Sequence, residues 1–318
     1  MQSTHRSLFD TPYPIILAPM FLVSNAAMIK SALDHGITGA IPALNYRTDE
    51  GLREAIDEIR AHSSQAFGIN LIVNKSNVKY KKQLETCIEK KVDFIITSLG
   101  SPEECINKAH PAGIKVFCDV TDLKYALKVQ ALGADAVIAV NAEAGGHSGK
   151  IPGQELIPLL VENLSIPVIS AGGVSTSQDV TSALELGATA VSVGTVFIAS
   201  LEAPVSQEYK QALVDYQAKD IVLTTKMSGS HLTVINTPYV QSIGTEASWL
   251  ERLMKRNKWL KKYIKMFIAL RGMKAIEKAA NQATYKSVWV AGPSIENIHS
   301  IDSVGTIADR LTAELRRE

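Results

Sequence analysis

A histidine set among three glycines, in Ala142-Glu143-Ala144-Gly145-Gly146-His147-Ser148-Gly149, is the part of this chain best equipped for chemistry. An imidazole titrates near neutral pH, so His147 can accept a proton or a hydrogen bond there. Glycines beside it let the backbone come close to something flat or phosphorylated. A glycine-rich turn whose histidine caps a helix is the other reading of the same octapeptide. Two further pairs, Gly172-Gly173 and Gly194-Thr195, each follow an apolar run and precede a helical pattern. Backbone N–H groups exposed at such junctions bind phosphate, and the pairs admit a sugar phosphate, a nucleotide product or a flavin mononucleotide. Asn70 and Ser98 are polar residues inside or at the end of apolar runs, and Asp119 and Glu143 are acids placed to orient His147 or to hydrogen-bond a loop backbone. His5, His35, His62, His110, His231 and His299 show no metal-ligand spacing, so no metal site is expected. Neither a nucleophilic serine elbow nor a catalytic pair of carboxylates is present.

Such groups act together only if the fold brings them to one place. Apolar, β-rich runs at 15–20, 39–43, 66–73, 92–98, 114–120, 134–140, 167–171 and 188–193 alternate with helical patterns such as 48–61 and 122–132. That is the signature of repeated βα units, and eight parallel strands close into a barrel. The expected fold is therefore an α/β protein, a TIM (β/α)8 barrel with a C-terminal, mostly helical insertion or subdomain. The barrel spans 1–203, a helical insertion or lid 204–287, and a return segment with a final helix, 288–318, completes the barrel. Within the insertion, 228–242 reads as irregular and carries His231, which would reach the site if that piece folds over it. The stretch 249–273 reads as one or two basic amphipathic helices, taken as a solvated face. In a parallel barrel the active site lies where strands end, which is where His147 and both glycine pairs fall.

The chain has 318 residues, 46% of them hydrophobic and 20% charged, enough for a full core. With 33 basic and 32 acidic residues the net charge is +1, which argues against nucleic acid and anionic membrane surfaces as partners. No apolar run approaches the roughly 18 residues needed to span a bilayer, and no apolar signal core follows Met1-Gln2-Ser3-Thr4-His5-Arg6, so a cytoplasmic protein is expected. Cys87, Cys105 and Cys118 are odd in number and widely spaced, which reads as reduced thiols, Cys118 in the core. The oligomeric state is left open.

Taken with their order, the motifs Ala18-Pro19-Met20, Phe67-Gly68-Ile69-Asn70, Glu143-Ala144-Gly145-Gly146-His147, Ala171-Gly172-Gly173-Val174 and Gly194-Thr195 resemble the flavin-dependent nitronate monooxygenases, formerly called 2-nitropropane dioxygenases. They are also similar to the flavin-dependent enoyl-acyl-carrier-protein reductases. The resemblance runs from residue 14 to about residue 204 and is weaker beyond, through Met227-Ser228-Gly229 and Ala291-Gly292-Pro293-Ser294. It implies a barrel binding one FMN, with the phosphate on Gly173, Gly194 and Thr195, beside Gly172. It places the ring near Ala18, Met20 and Asn70, lets Gly145 and Gly146 lie close to the flavin, and turns His147 toward the substrate. Two departures stand out. Val140 occupies the position where the nitronate branch often carries a glutamine, and Phe21-Leu22-Val23 replaces a small, glycine-rich segment. The implied activity is oxidation of alkyl nitronates with O2, His147 orienting the substrate or acting as base. The alternative is NAD(P)H-dependent reduction of an enoyl thioester, and a lesser one is a non-catalytic barrel that binds flavin or another phosphate ligand.

Overall fold

The computed structural model describes residues 8–225, 232–246 and 288–316. In chain order its first strands are β1 (Ile15–Leu17), β2 (Thr38–Pro42), β3 (Gly68–Ile72), β4 (Phe94–Ser98), β5 (Lys115–Val120) and β6 (Ala136–Val140). A two-residue strand, β7 (Gly146–His147), stands apart, and β8 (Val168–Ala171) and β9 (Ala190–Val193) follow. Each of the eight apolar runs supplies one strand of a closed parallel barrel, β1-β2-β3-β4-β5-β6-β8-β9, and β1 pairs with both β2 and β9 to close it. The first strand is shorter than its apolar run and leaves Ala18, Pro19 and Met20 in the loop above it.

Local chemistry sets the helices between the strands. The first three are α1 (Ala26–Asp34), α2 (Asp49–His62) and α3 (Tyr80–Glu89), followed by α4 (Glu103–Ala109) and α5 (Leu123–Ala131). Then come α6 (Gly153–Asn163), α7 (Ser177–Glu185) and the single turn α8 (Thr195–Ile198). Thr48 caps α2 by accepting from the Gly51 N–H, with Asp49 and Glu50 in the first turn, and Asp122 caps α5 through Tyr125. Thr176 and Asp179 form a reciprocal capping box on α7.

Period-two alternation then sorts each strand between two cores. One face meets the helices; the other fills the barrel with Ile16, Ala40, Phe94, Ile96, Phe117, Ala136, Ile138, Ile169 and Ala190, closed from below by Leu8 and Phe9. The Phe94 and Phe117 rings, from the start of β4 and the middle of β5, stack with centroids 4.9 Å apart. Climbing the same inward faces, Phe94 and Ile96 give way to Ser98, Phe117 to Asp119, and Gly68 to Asn70. The interior is thus apolar at its base and polar on one side of its mouth.

Beyond the barrel lie α9 (Gln207–Asp215), β10 (Ile221–Thr224), β11 (Leu232–Ile235), α10 (Pro238–Ile243) and α11 (Val304–Leu311). Helix and irregular chain were expected over 221–235, but β10 and β11 form an antiparallel ribbon to which β7 adds a third strand. Ile-Val-Leu-Thr and Leu-Thr-Val-Ile are β-branched runs whose pairing outweighs the weak helical pattern around them. The 249–273 basic stretch, Met227-Ser228-Gly229 and His231 lie outside the described residues. Near the return, the strand-like run at 288–290 makes one bridge, Val290 to Val234, before a 3₁₀ turn over Pro293–Asn297. Ser303 caps α11, which packs on α1, α7 and α8. Among the described residues no helix is long and apolar enough to cross a membrane.

A Cβ on Gly68 would sit 2.1 Å from the Phe94 ring. Gly68→Ala is therefore expected to lose about 1–3 kcal/mol of stability in urea unfolding, and adding Phe94→Leu, which removes the obstructing ring, is expected to recover part of that loss.

Candidate active site

At the C-terminal mouth of the barrel the sequence-predicted residues divide between two arcs. On the β3–β5 arc, the Asn70 amide Nδ2 donates to the Ile96 carbonyl at 3.1 Å and to Ser98 Oγ at 2.8 Å. Ser98 in turn donates to Asp119 Oδ2 at 2.5 Å. Burial pushes the Asp119 carboxyl up to about 6. Asp119 was expected to orient His147 or water or to bond a loop backbone; its hydrogen bond goes instead to the Ser98 side chain on the next strand. Glu143 does bond backbone, accepting from the Gly153 N–H at 3.1 Å at the start of α6.

The second arc, from β6 through β8 and β9 to β1, is built of glycines and small residues. Gly172 has φ +120°, and a Cβ there would fall 1.9 Å from Asn141 Oδ1 and 2.6 Å from the Ala144 nitrogen. Only glycine meets both conditions. Asn141, 2% exposed, binds this corner together, donating to the Gly172 carbonyl at 3.1 Å and accepting from the Glu143 N–H at 3.0 Å. Gly145 is equally confined, because a Cβ on it would meet Thr195 Oγ1 at 2.7 Å and the Gly292 nitrogen at 2.9 Å. Thr195 Oγ1 accepts from the Gly292 N–H at 3.0 Å, which leaves the hydroxyl proton to donate elsewhere. The N–H groups of Gly173 and Thr195 find no acceptor among the described residues. Gly194 faces Met20 and Ala18, with Met20 Sδ and Ala18 Cβ at 3.5 and 3.7 Å from the position a Cβ would take. The expected phosphate residues and the expected ring residues Ala18 and Met20 thus adjoin.

The turn that presents Ala18 and Met20 explains one departure from the resembled family. Leu22 has φ +61°, in the left-handed region that favours glycine. Its strain is offset by the Leu22 N–H bond to Asn45 Oδ1 at 2.8 Å, while Ser24 Oγ accepts from the Met20 N–H and donates to the Ala18 carbonyl, each at 2.8 Å.

His147 is held from outside the barrel. Leu232 pairs with His147 and Thr233 with Gly146. Thr233 Oγ1 accepts from the Gly146 N–H at 2.8 Å and donates to the Ala144 carbonyl at 2.9 Å. Solvent reaches the imidazole, yet the surrounding walls withhold enough water to lower its pKa from the ordinary value of 6.5. At pH 7 the ring is neutral, with one nitrogen to donate and one to accept. The mouth therefore offers N–H donors suited to an anion on one arc and a polar edge on the other, and His147 stands on the two-residue strand that follows the glycine-rich corner. Asn141 and Thr233 escape the sequence reading, because Asn141 bonds Gly172 and Thr233 bonds Gly146 from far along the chain and no local pattern marks either; Gly292 is marked there only as part of a late resembling segment, with no role at the site.

All three cysteines are buried free thiols, and among the described residues no cluster of His, Cys, Asp and Glu could hold a metal ion.

Known proteins resemble this chain in both sequence and fold. The family model described as nitronate monooxygenase matches residues 2–314. A probable nitronate monooxygenase of Staphylococcus aureus strain Newman is 27% identical over 280 residues, covering 74% of this chain and 79% of that protein. A (3aS,4S,5R,7aS)-5-hydroxy-7a-methyl-1-oxo-octahydro-1H-indene-4-carboxyl-CoA dehydrogenase of Rhodococcus jostii strain RHA1 is 28% identical over 236 residues, 74% of this chain and 66% of that one. The structure of FabK from Thermotoga maritima superposes with a TM-score of 0.83 at 26% identity, over 98% of this chain and 96% of that one. With the match running through nearly the whole barrel and its return segment, the chain belongs to the nitronate monooxygenase family of flavin-dependent oxidoreductases.

Proposed function

We propose that this protein is an FMN-dependent nitronate monooxygenase that oxidises alkyl nitronates with O2, and that His147 is the residue that receives the substrate. The observation that supports the reading is the β7–β11 ladder, which ties the backbone of His147 to the loop that follows the glycine-rich corner, with an imidazole whose pKa lies below the ordinary value. The residues present suit FMN. A phosphate would lie against Gly172, Gly173, Gly194 and Thr195, where N–H groups await an acceptor and a side chain at Gly172 would collide with Asn141. The flat ring would lie over Ala18 and Met20, with Gly145 and Gly146 close by and its polar edge toward Asn70. When bound, FMN supplies the electron acceptor and the site of reaction with O2.

The chain's own residues supply the rest. The His147 N–H donor would hold a nitronate oxygen, and its bare nitrogen would take the α-proton of a neutral nitroalkane. The near balance of acidic and basic residues and the three buried thiols support a small-molecule enzyme of the cytoplasm. The carboxyl-CoA relative gives weight to a second reading, NAD(P)H-dependent reduction of an enoyl thioester with His147 binding that substrate.

An anaerobic absorbance titration of the purified protein separates the two. Ethyl nitronate alone is expected to bleach the flavin band; bleaching by NADPH with no response to nitronate would replace the proposal with the reductase. His147→Ala is expected to retain flavin, to lose about 100-fold or more in turnover of neutral nitroethane and about tenfold or less with ethyl nitronate; equal losses would count against the base role. Because burial lowers the His147 pKa, and only the neutral ring can take a proton, kcat/KM for nitroethane is expected to fall with decreasing pH along a limb centred below 6.5. The nitronate profile should lack that limb.

A further inference from the structure

The polar arc contains a hydrogen-bond sequence with only one direction. Both protons of the Asn70 amide are committed, one to the Ile96 carbonyl at 3.1 Å and one, in the shorter bond, to Ser98 Oγ at 2.8 Å, and the two acceptors together hold the amide in one orientation. Ser98 has a single proton, and it goes to Asp119. Its lone pair is thereby free to accept from Asn70. Among the described residues nothing donates to Asn70 Oδ1. What remains at the mouth of β3 is a lone acceptor, rigidly aimed by residues on the next two strands. The pyrimidine edge of an isoalloxazine presents one donor, the imide N–H, between two carbonyls. A side chain that could rotate would offer its NH2 to those carbonyls as readily as its oxygen to the N–H.

We infer that Ser98 and Asp119 are positioning residues that commit Asn70 to accept a hydrogen bond from the imide N–H of the bound flavin, an inference that rests on the FMN reading above. Ser98 acts by accepting, Asp119 by occupying the one proton Ser98 could otherwise turn toward Asn70. At pH 8 the Asp119 carboxyl, even with burial pushing it up to about 6, is ionised and accepts only.

The test compares FMN with 3-methyl-FMN, in which a methyl group replaces the imide proton. The full-length protein freed of flavin is titrated with each at pH 8, and binding is read from quenching of flavin fluorescence. The wild type is expected to prefer FMN by about tenfold or more, the size of a hydrogen bond lost together with a methyl clash. Ser98→Ala and Asp119→Ala are expected to reduce that preference to about threefold or less, because the freed amide can turn away from the methyl group. Ser98→Thr keeps the hydroxyl, and Asp119→Asn keeps an oxygen that accepts from it; both are expected to retain the preference. A purely structural role would weaken both flavins together and leave their ratio unchanged, and that result in the alanine variants would overturn the inference. Equal binding of the two flavins by the wild type would overturn it as well. Failure of the wild type to bind either flavin would instead remove the FMN reading, and the inference with it.

Discussion

Backbone crowding at the barrel mouth governs the site. The loops after β6, β8 and β9 and the returning segment converge until main chain touches main chain, so that a Cβ on Gly292 would sit 2.8 Å from the Glu143 carbonyl oxygen, and one on Gly172 2.6 Å from the Ala144 nitrogen. Side chains can rotate out of a clash, but backbone cannot. The glycines are therefore steric necessities, and they leave N–H groups exposed where the chain is most tightly fixed. Because Gly145, Gly146 and His147 follow directly from this corner, the backbone of His147 is tied to it.

The barrel supports that corner by distributing polarity unevenly. Phe94 and Phe117 seal the base, each contributing on the order of 1.5–3 kcal/mol by burial, and Gly68 makes room for the Phe94 ring. Further up the same inward faces come Asn70, two residues beyond Gly68, Ser98, four beyond Phe94, and Asp119, two beyond Phe117. The mouth is thus polar on one side and lined by exposed N–H groups on the other. Strain is carried nearby at Leu22, where a leucine occupies a glycine-like conformation because Asn45 and Ser24 hold the turn from both sides. A local rule is broken at the wall of the site and compensated by hydrogen bonds from outside it.

The barrel and the position of His147 at its mouth are legible in the sequence because their causes are local. Alternating apolar runs make strands, Thr48, Asp122 and Thr176 cap helices, and a glycine pair after an apolar run places N–H groups at a strand end whatever the surroundings. The order of these signals along 318 residues determines a closed parallel barrel, with His147, Gly172 and Gly194 at one end of it. Three things were decided only in the tertiary structure. Thr233 reaches Gly146 across 87 residues, and Gly292 reaches Thr195 across 97. Asp119 meets Ser98 rather than a loop because the β4–β5 register sets Thr97 against Cys118, which brings those two inward-facing side chains together. Pairing and register depend on which surfaces meet when the barrel closes, and no spacing within a single segment encodes that.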